Sequence, residues 1–159
     1  MKEILEILQT DGRLTPGQIA TMLNRDEAEV AATIKELEEK KIILGYFTLI
    51  NWDKVRGERV SAIIEVKLAP QREVGFDAIA ERIYRFPEVG SVRLMSGSYD
   101  LSVMINGHTL QEVAYFVSNK LATIENVIST CTHFVLKTYK YHSTVLDDAE
   151  EDRRLVVTP

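Results

Sequence analysis

Two helix-start signals stand close together near the N-terminus. In the first, Thr15 is placed to cap a helix with its hydroxyl, while Gln18 can reach back to the cap. In the second, Asp26 and Glu29 repeat the same spacing. Only residues 24–25 lie between the two predicted helices. Two short helices across so tight a turn form a helix-turn-helix, whose second helix is free to enter a major groove.

Apolar residues at helical spacing predict three helices in this region. They are Ile4, Leu5 and Leu8 in the first helix, Ile19 and Leu23 in the second, and Val30, Ile34 and Leu37 in the third. After Lys41 the pattern changes to β-type runs at 42–44 and 46–50 around Gly45, which predict a hairpin or wing.

Alternation of apolar and polar residues then predicts a second unit built on a β-sheet. The first expected element is a strand from Arg59 that Pro70 ends, and a helix with Phe76, Ile79, Ala80 and Ile83 on one stripe follows it. Strands Ser91–Met95 and Tyr99–Ile105 come next, joined by Ser96-Gly97-Ser98. The last two elements are a helix capped by Thr109 and Glu112 that runs to Leu121, and a strand from about Ile128 to Tyr139. This βαββαβ order is the ferredoxin-like pattern.

The predicted fold is therefore α+β, an N-terminal winged helix-turn-helix followed by a ferredoxin-like βαββαβ domain. We place the first domain at residues 1–51, a linker at 52–58, the second domain at 59–142 and an acidic C-terminal tail at 143–159. The tail lacks an apolar stripe until residues 155–157, which leaves open whether it is loose or covers a partner.

In the predicted second domain, helices cover one face of the sheet, and the other face is either exposed to solvent or covered by another surface. Besides polar residues, that face is predicted to carry Ile63, Met95, Met104 and Val135. A monomer would leave these side chains in water, so we predict a homodimer formed by packing sheet on sheet. The alternative is that scattered apolar residues on a solvated face need no partner.

The sequence favours a cytoplasmic protein. No apolar run approaches the roughly 20 residues that span a bilayer, and Glu3 and Glu6 occupy a region where a secretory signal carries positive charge. The single cysteine, Cys131, lies in a strand pattern and is predicted to be a packed side chain rather than a nucleophile. No catalytic residue, cofactor or metal site is predicted, because the three histidines, His108, His133 and His142, share no ligand-like spacing.

The order and spacing of these segments resemble the Lrp/AsnC family of bacterial and archaeal transcription regulators over roughly residues 1–142. The resemblance is carried by Ile7–Arg13, Gln18–Ala20, Val30 through Ile34 to Leu37-Glu38, Ile42–Tyr46 and Ser96-Gly97-Ser98-Tyr99-Asp100-Leu101, the last of which is similar to the family's Gly-x-Tyr-Asp turn. The resemblance implies an amino-acid-sensing regulator of double-stranded DNA whose dimers assemble further, often into octamers. It also implies that the effector lies near this turn, at contacts between dimers.

The turn has the chemistry to hold a free amino acid. Backbone N–H groups at Gly97 and Ser98 can bind a carboxylate, and Asp100 can pair with an ammonium group. The candidate effector-binding residues are Met95, Ser96, Gly97, Ser98, Tyr99 and Asp100, with Met95 and Leu101 as apolar lining. To these the resemblance adds Thr130 and Thr132, at positions where the family often has polar contacts to the effector. Alternatively, Gly97 only shapes the turn, Tyr99 packs, Asp100 caps the hairpin, and the threonines only favour a strand.

The predicted recognition helix departs from the family pattern. Family members commonly carry Arg around the positions of Ala31, Ala32 and Thr33, and Asp26 stands in place of the usual serine cap. Residues 1–51 hold six basic and nine acidic side chains, so DNA binding is expected to be specific but modest. The candidate base contacts are Ala28, Glu29, Ala32, Thr33 and Lys35, and the candidate phosphate contacts are Arg25, Lys40 and Lys41.

Two other functions stay open at this point. One is an enzyme, because the haem-pathway decarboxylase relatives share this two-domain outline and rely on histidine and arginine pairs in the second domain. Against it, the sequence has no His-x-x-His or Cys-x-x-Cys motif and no evident activated nucleophile. The other is an amino-acid-binding or assembly module with weak or lost DNA binding, which the acidic third helix favours.

Overall fold

The computed structural model describes residues 1–55, 59–69, 75–107 and 109–146, and it divides into two compact units, Met1–Ile50 and Asn51–Pro159. The first unit contains α1 (Lys2–Thr10), α2 (Pro16–Leu23) and α3 (Glu27–Glu39). The second contains a 3-10 turn (Trp52–Lys54), β1 (Val60–Leu68), α4 (Phe76–Tyr84), β2 (Val89–Leu94), β3 (Leu101–Gly107), α5 (Leu110–Phe116), a π-helical turn (Val117–Leu121), β4 (Val127–Phe134), β5 (Lys140–Tyr141) and β6 (Thr144–Val145). Pro70, His108, linker residues 56–58 and tail residues 147–159, about which the sequence made predictions, lie outside the described residues.

Both predicted helix caps of the first unit are present. The Gln18 N–H donates to the Thr15 hydroxyl over 3.3 Å, and the Thr15 N–H donates to the Gln18 side chain over 2.8 Å. The Glu29 N–H donates to the Asp26 carboxylate over 3.1 Å. These bonds satisfy backbone donors that a helix start leaves without partners, so they fix where α2 and α3 begin.

The tight turn between α2 and α3 depends on a left-handed residue. Asn24 has φ 51°, and the Arg25 N–H donates to the Ala20 carbonyl over 2.9 Å. Asparagine tolerates this conformation better than most residues, and the bond closes the end of α2. The three helices then bury a small core made of Ile4, Ile19, Ala20 and Val30.

The predicted wing hairpin is wrong for this structure, because residues 42–50 form no strand. Lys41 adopts φ 57°, and the N–H groups of Ile42 and Ile43 both donate to the Leu37 carbonyl, over 2.9 and 3.1 Å. The backbone donors of the first β-type run therefore close α3 instead of starting a ladder. A hairpin of two short strands is in any case only marginally stable without a surface to pack on, and Phe47 is 92% exposed.

The second unit is a four-stranded antiparallel sheet in the order β2-β3-β1-β4. This order, with the two helices between the strands of the chain, confirms the predicted βαββαβ fold. One face of the sheet packs against the helices and buries an apolar core. Its members include Ala62, Ile64, Val66 and Leu68 of β1, Leu101, Val103 and Ile105 of β3, Ile79 and Ile83 of α4, and Val113, Phe116 and Leu121.

Several predicted details of the helices are corrected. Phe76, placed on the buried stripe, is the first residue of α4 and is exposed. The helix from Thr109 does not continue as an α-helix to Leu121, because the Ala122 N–H donates to the Val117 carbonyl five residues back, over 2.8 Å. This π-helical turn brings Leu121 into the core with Phe116, while Val117 is only partly buried.

The last strand is shorter than predicted. It ends at Phe134, which pairs with Ala62 of β1, and one further bond runs from the Val135 N–H to the Ser61 carbonyl. The hairpin of β5 and β6 then turns through His142 and Ser143, both with positive φ, as a type I′ turn requires. The secondary structure of this unit therefore extends to Val145, beyond residue 143, where the sequence places the start of the tail.

An ion pair fastens the end of the π-helical turn to the sheet. Lys120 donates to the Glu88 carboxylate, whose second oxygen is buried without a hydrogen bond. The hydrogen bond from Lys120 lowers the pKa of the Glu88 carboxyl below its ordinary value, and burial opposes this shift. Folding therefore favours the ionised form of Glu88.

We expect this pair to make stability depend on pH in the acid range. Since the folded pKa is the lower one, the stabilisation is present above the ordinary value of 4.5 and is lost as the pH falls through the folded value. Urea unfolding of the wild type and of Glu88→Gln should show a clear gap in unfolding free energy at neutral pH, narrowing below pH 4.5. Glu125→Gln, at an exposed carboxyl, is the control. A gap that stays constant with pH would contradict this assignment.

Candidate functional sites

The outer surface of α3 presents most of the predicted base-contacting residues. Ala28, Glu29, Ala32 and Lys35 are exposed. Thr33 is half-buried, and its hydroxyl donates to the Glu29 carbonyl over 2.9 Å. The Thr33 hydroxyl is therefore engaged with the helix, and what this residue offers a base is its methyl group.

Of the three basic residues predicted to contact phosphates, Arg25 and Lys40 lie close to carboxylates, and Lys41 is exposed just beyond the end of α3. Arg25 is 3.8 Å from Glu3, and Lys40 is 2.5 Å from Glu36. Lys35, one of the predicted base contacts, is 3.9 Å from Glu39. The hydrogen bond from Lys40, with its charge, lowers the pKa of the Glu36 carboxyl below its ordinary value. A phosphate must compete with these intrachain partners, which favours the modest DNA affinity that the sequence predicts.

Sequence analysis missed a contact that holds the segment after α3. The Tyr46 hydroxyl donates to the Glu38 carboxylate over 3.0 Å, and its ring lies where a side chain at Gly12 would collide, 3.1 Å from an added Cβ. Burial raises the pKa of Tyr46, and the bond to Glu38 adds to the effect. The only feature of the sequence that indicates this contact is the aromatic residue Tyr46 directly after Gly45, and the β-type pattern of residues 46–50 predicts a strand there instead.

The turn between β2 and β3 spans residues 95–100. Its two ends are joined by a bond from the Met95 N–H to the Asp100 carbonyl over 2.8 Å. Residues 95–98 are exposed. Gly97 has no heavy atom within 4 Å of the position of an added Cβ, and its φ is not in the left-handed region. The fold therefore does not require a glycine here, in contrast to the view that Gly97 only shapes the turn.

Asp100 has a structural role. Its carboxylate accepts from the Leu68 N–H over 2.7 Å, and its own N–H donates to the Val66 carbonyl over 3.0 Å. The bond to Leu68 falls where the pairing of β1 with β4 shifts register, so it supplies a partner to a donor next to the irregularity. The carboxylate is thus held at the base of the turn, with one oxygen already engaged.

The structure separates the other predicted effector residues. Leu101 is 1% exposed and belongs to the core, so the prediction that it lines a ligand is wrong. Thr130 and Thr132 pair with Val66 and Ile64, which places them on the helix-packed face of the sheet. Met95 follows β2 with the opposite orientation, since Leu94 pairs with Leu101 of the core.

The open face of the sheet carries the four apolar residues that the sequence placed there. Ile63 and Met104 are direct cross-strand partners, and Val135 lies opposite Ser61. Met95 follows at the end of β2 and is 39% exposed, as is Ile63. In the part of the chain that the structure describes, the same face also holds three residues with metal-type donors, Glu65, Cys131 and His133. Cys131 is exposed, not packed as the sequence predicted. Among the described helices, none is both long and apolar enough to cross a membrane.

Comparison with known proteins gives consistent results for both units. Residues 1–43 match the winged helix-turn-helix DNA-binding family, and residues 61–145 match the Lrp/AsnC ligand binding domain. The chain is 51% identical to the uncharacterised HTH-type transcriptional regulator YugG of Bacillus subtilis, over 99% of this chain and 95% of that protein. The leucine response regulatory protein LrpA of Mycobacterium tuberculosis superposes with a TM-score of 0.76 at 20% identity, covering 92% and 97% of the two chains. A Neisseria meningitidis transcriptional regulator solved with L-methionine gives 0.71 at 24% identity, covering 87% and 89%.

Proposed function

This chain belongs to the Lrp/AsnC family of DNA-binding transcriptional regulators, and we propose that its regulation responds to a free amino acid bound at the turn of residues 95–100. It is a regulator and not an enzyme, which removes the enzyme alternative left open by the sequence. The proposal concerns the kind of effector, the residues that hold it and the assembly that presents it.

The observation that carries the proposal is the open space around Gly97. An ordinary tight turn would use glycine for a left-handed backbone or for close packing, and neither applies here. Because Gly97 has no side chain, the open space beside it leaves the backbone N–H groups of the turn accessible to a carboxylate. Binding of L-methionine by a structurally similar regulator of Neisseria meningitidis supports an amino acid as the ligand class.

Asp100 supplies the second charge that a zwitterion needs. Its carboxylate stays beside the turn because the Leu68 N–H holds one oxygen. An ammonium group can then interact with the negative charge without moving the side chain, which favours affinity because the group is already oriented. Met95, exposed at the end of β2, is the proposed apolar contact to the effector side chain. Ser96, Ser98 and Tyr99 remain proposed contacts within the same turn. Thr130 and Thr132 lie on the helix-packed face of the sheet, opposite to Met95, so they belong to the proposal only as contacts to an effector held between dimers.

We propose further that the chain acts as a homodimer joined through the open faces of two sheets, with higher assembly such as an octamer bringing turns from different dimers together. The paired Ile63 and Met104 form the apolar centre of this surface. A two-fold dimer would present two copies of α3 to successive major grooves. The domain limits at 1–51 and 59–142 and a cytoplasmic location remain part of the proposal.

The acidic third helix is also consistent with a second function, an amino-acid-binding or assembly module with weak DNA affinity. The ion pairs of Arg25, Lys35 and Lys40 are what a binding or assembly module with weak DNA affinity would also show. Such a module would bind its amino acid but would give no specific complex with DNA upstream of its own gene. A gel-shift on that DNA separates the two functions.

The effector site is tested by a melting-shift screen of the twenty amino acids. A ligand at a hundredfold excess over its Kd stabilises the folded state by about 2.7 kcal/mol, which raises Tm by several degrees. We expect the cognate amino acid to give this shift in wild type. Gly97→Val should melt like wild type without ligand, because the added side chain enters open space, yet lose the shift because it fills the proposed carboxylate position.

Asp100→Asn is the matched variant for the ammonium contact. The amide keeps an oxygen for the Leu68 N–H, so the fold is preserved while the charge is lost. We expect the ligand-induced shift to fall to less than half. An amino acid that stabilises the wild type and both variants equally would place the site elsewhere, and no response in wild type would favour the assembly module.

A further inference from the structure

We propose that Glu65, Cys131 and His133 form a binding site for a thiophilic divalent transition metal, with Zn²⁺ as the best match, on the open face of the sheet. Nothing in this proposal depends on the effector or on DNA. It rests on the juxtaposition of three side chains whose chemistry is that of a zinc site.

Strand pairing brings the three residues together. Cys131 and His133 are two positions apart on β4, so they point to the same face of the sheet. Glu65 of β1 lies directly opposite Cys131 and diagonal to His133. All three are therefore fixed by the hydrogen-bonded ladder between two adjacent strands, a rigid base for a ligand set.

The donor atoms are close to coordination distance. One carboxylate oxygen, the cysteine sulfur and one imidazole nitrogen all lie within 4.8 Å of one another, and the Glu65 Oε1 atom is 3.3 Å from the His133 Nε2 atom. Tetrahedral zinc with its usual bond lengths needs donors about 3.3–3.8 Å apart. Rotation of the two exposed side chains, Cys131 and His133, closes the difference without moving the backbone.

Charge and softness favour a transition metal over Mg²⁺ or Ca²⁺. A thiolate and a carboxylate together carry the charge that balances a divalent ion, and a neutral imidazole completes the trio. Mg²⁺ and Ca²⁺ prefer all-oxygen ligand sets and would gain little from sulfur. One chain contributes three donors, so the fourth position is filled by a donor from outside the trio, such as a water molecule. In the dimer proposed above each trio is complete within its own chain, so one ion per chain is expected.

The experiment uses the untagged full-length chain, reduced, treated with a chelator and titrated with Co²⁺ as a spectroscopic substitute for Zn²⁺. We expect one equivalent to produce thiolate-to-cobalt charge-transfer absorption, reversed by Zn²⁺ and unaffected by excess Mg²⁺. Cys131→Ser should abolish the absorption, and His133→Ala and Glu65→Gln should each weaken binding at least about tenfold. Ser129→Ala, on the same strand and face, is the matched control and should bind like wild type.

Two results overturn the site. One is the absence of charge-transfer absorption in wild type at stoichiometric Co²⁺. The other is equal affinity in wild type, His133→Ala and Glu65→Gln, which would show binding by the thiol alone. Melting curves in chelator establish that each variant is folded before titration. A negative result leaves the amino-acid response untouched, because the melting-shift screen uses other residues and involves no metal.

Discussion

We expect that replacing Ile63 and Met104 together by glutamate converts the proposed dimer to a monomer and weakens dimerisation by at least about a thousandfold, equivalent to about 4 kcal/mol. The two residues are direct cross-strand partners at the centre of the open face. A two-fold dimer would therefore bury four new carboxylates against one another, each with a desolvation cost of several kcal/mol. Sedimentation velocity over a range of protein concentrations measures the effect.

The control for this variant is Tyr115→Glu. Tyr115 is a large exposed side chain on α5, in the helical layer on the other side of the sheet, so it adds a charge where the proposed dimer has no contact. We expect Tyr115→Glu to sediment as wild type. If the Ile63 and Met104 variant remains a dimer while folded by circular dichroism, the open face is not the dimer surface.

Local signals in the sequence predicted the helix caps and the order of the strands correctly. The Thr15 and Asp26 caps depend on side chains three residues from their partners, a range that a sequence displays directly. The buried residues of β1 likewise follow from alternation alone. Prediction failed where the end of a strand depends on the strand with which it pairs. The apolar pattern of the final strand continues to Tyr139, but its paired residues end at Phe134, and this limit depends on the pairing with β1, which the residues of β4 alone do not display.

The sites show the same division between local and long-range information. The turn at residues 95–100 was identified from contiguous residues, but its relation to Leu68 depends on how β3 pairs with β1. The trio of Glu65, Cys131 and His133 was missed for this reason. Glu65 is more than sixty positions of sequence from Cys131 and His133, and only the register of β1 against β4 places Glu65 opposite Cys131.

The π-helical turn illustrates a third kind of limit. Val117 and Leu121 both fit an α-helical stripe, and no residue in that stretch marks an inserted position. The π-helical turn is favoured in the structure because it buries Leu121 together with Phe116 in the core. Packing against the sheet therefore outweighs the local preference for an α-helix.

The second large effect is expected at the recognition helix. Ala32→Asp with Lys35→Glu removes one cation and adds two anions on exposed positions of α3, a change of three charges per chain. Because phosphate neutralisation supplies much of the affinity, and a dimer doubles the change, we expect binding to a verified operator to fall at least about a hundredfold. Fluorescence anisotropy with labelled operator DNA at several salt concentrations gives the affinity and its salt dependence.

A control of equal charge separates recognition from general repulsion. Ala78→Asp with Arg82→Glu makes the same change of three charges at exposed positions of α4, in the second unit. If α3 contacts DNA, this control should bind far more tightly than the Ala32 and Lys35 variant, and its salt dependence should stay close to that of wild type. Equal losses in the two variants would assign the effect to net charge, and no loss in either would mean that α3 is not the recognition helix. Wild type itself should show a shallow salt dependence, because Arg25, Lys35 and Lys40 exchange carboxylate partners for phosphates.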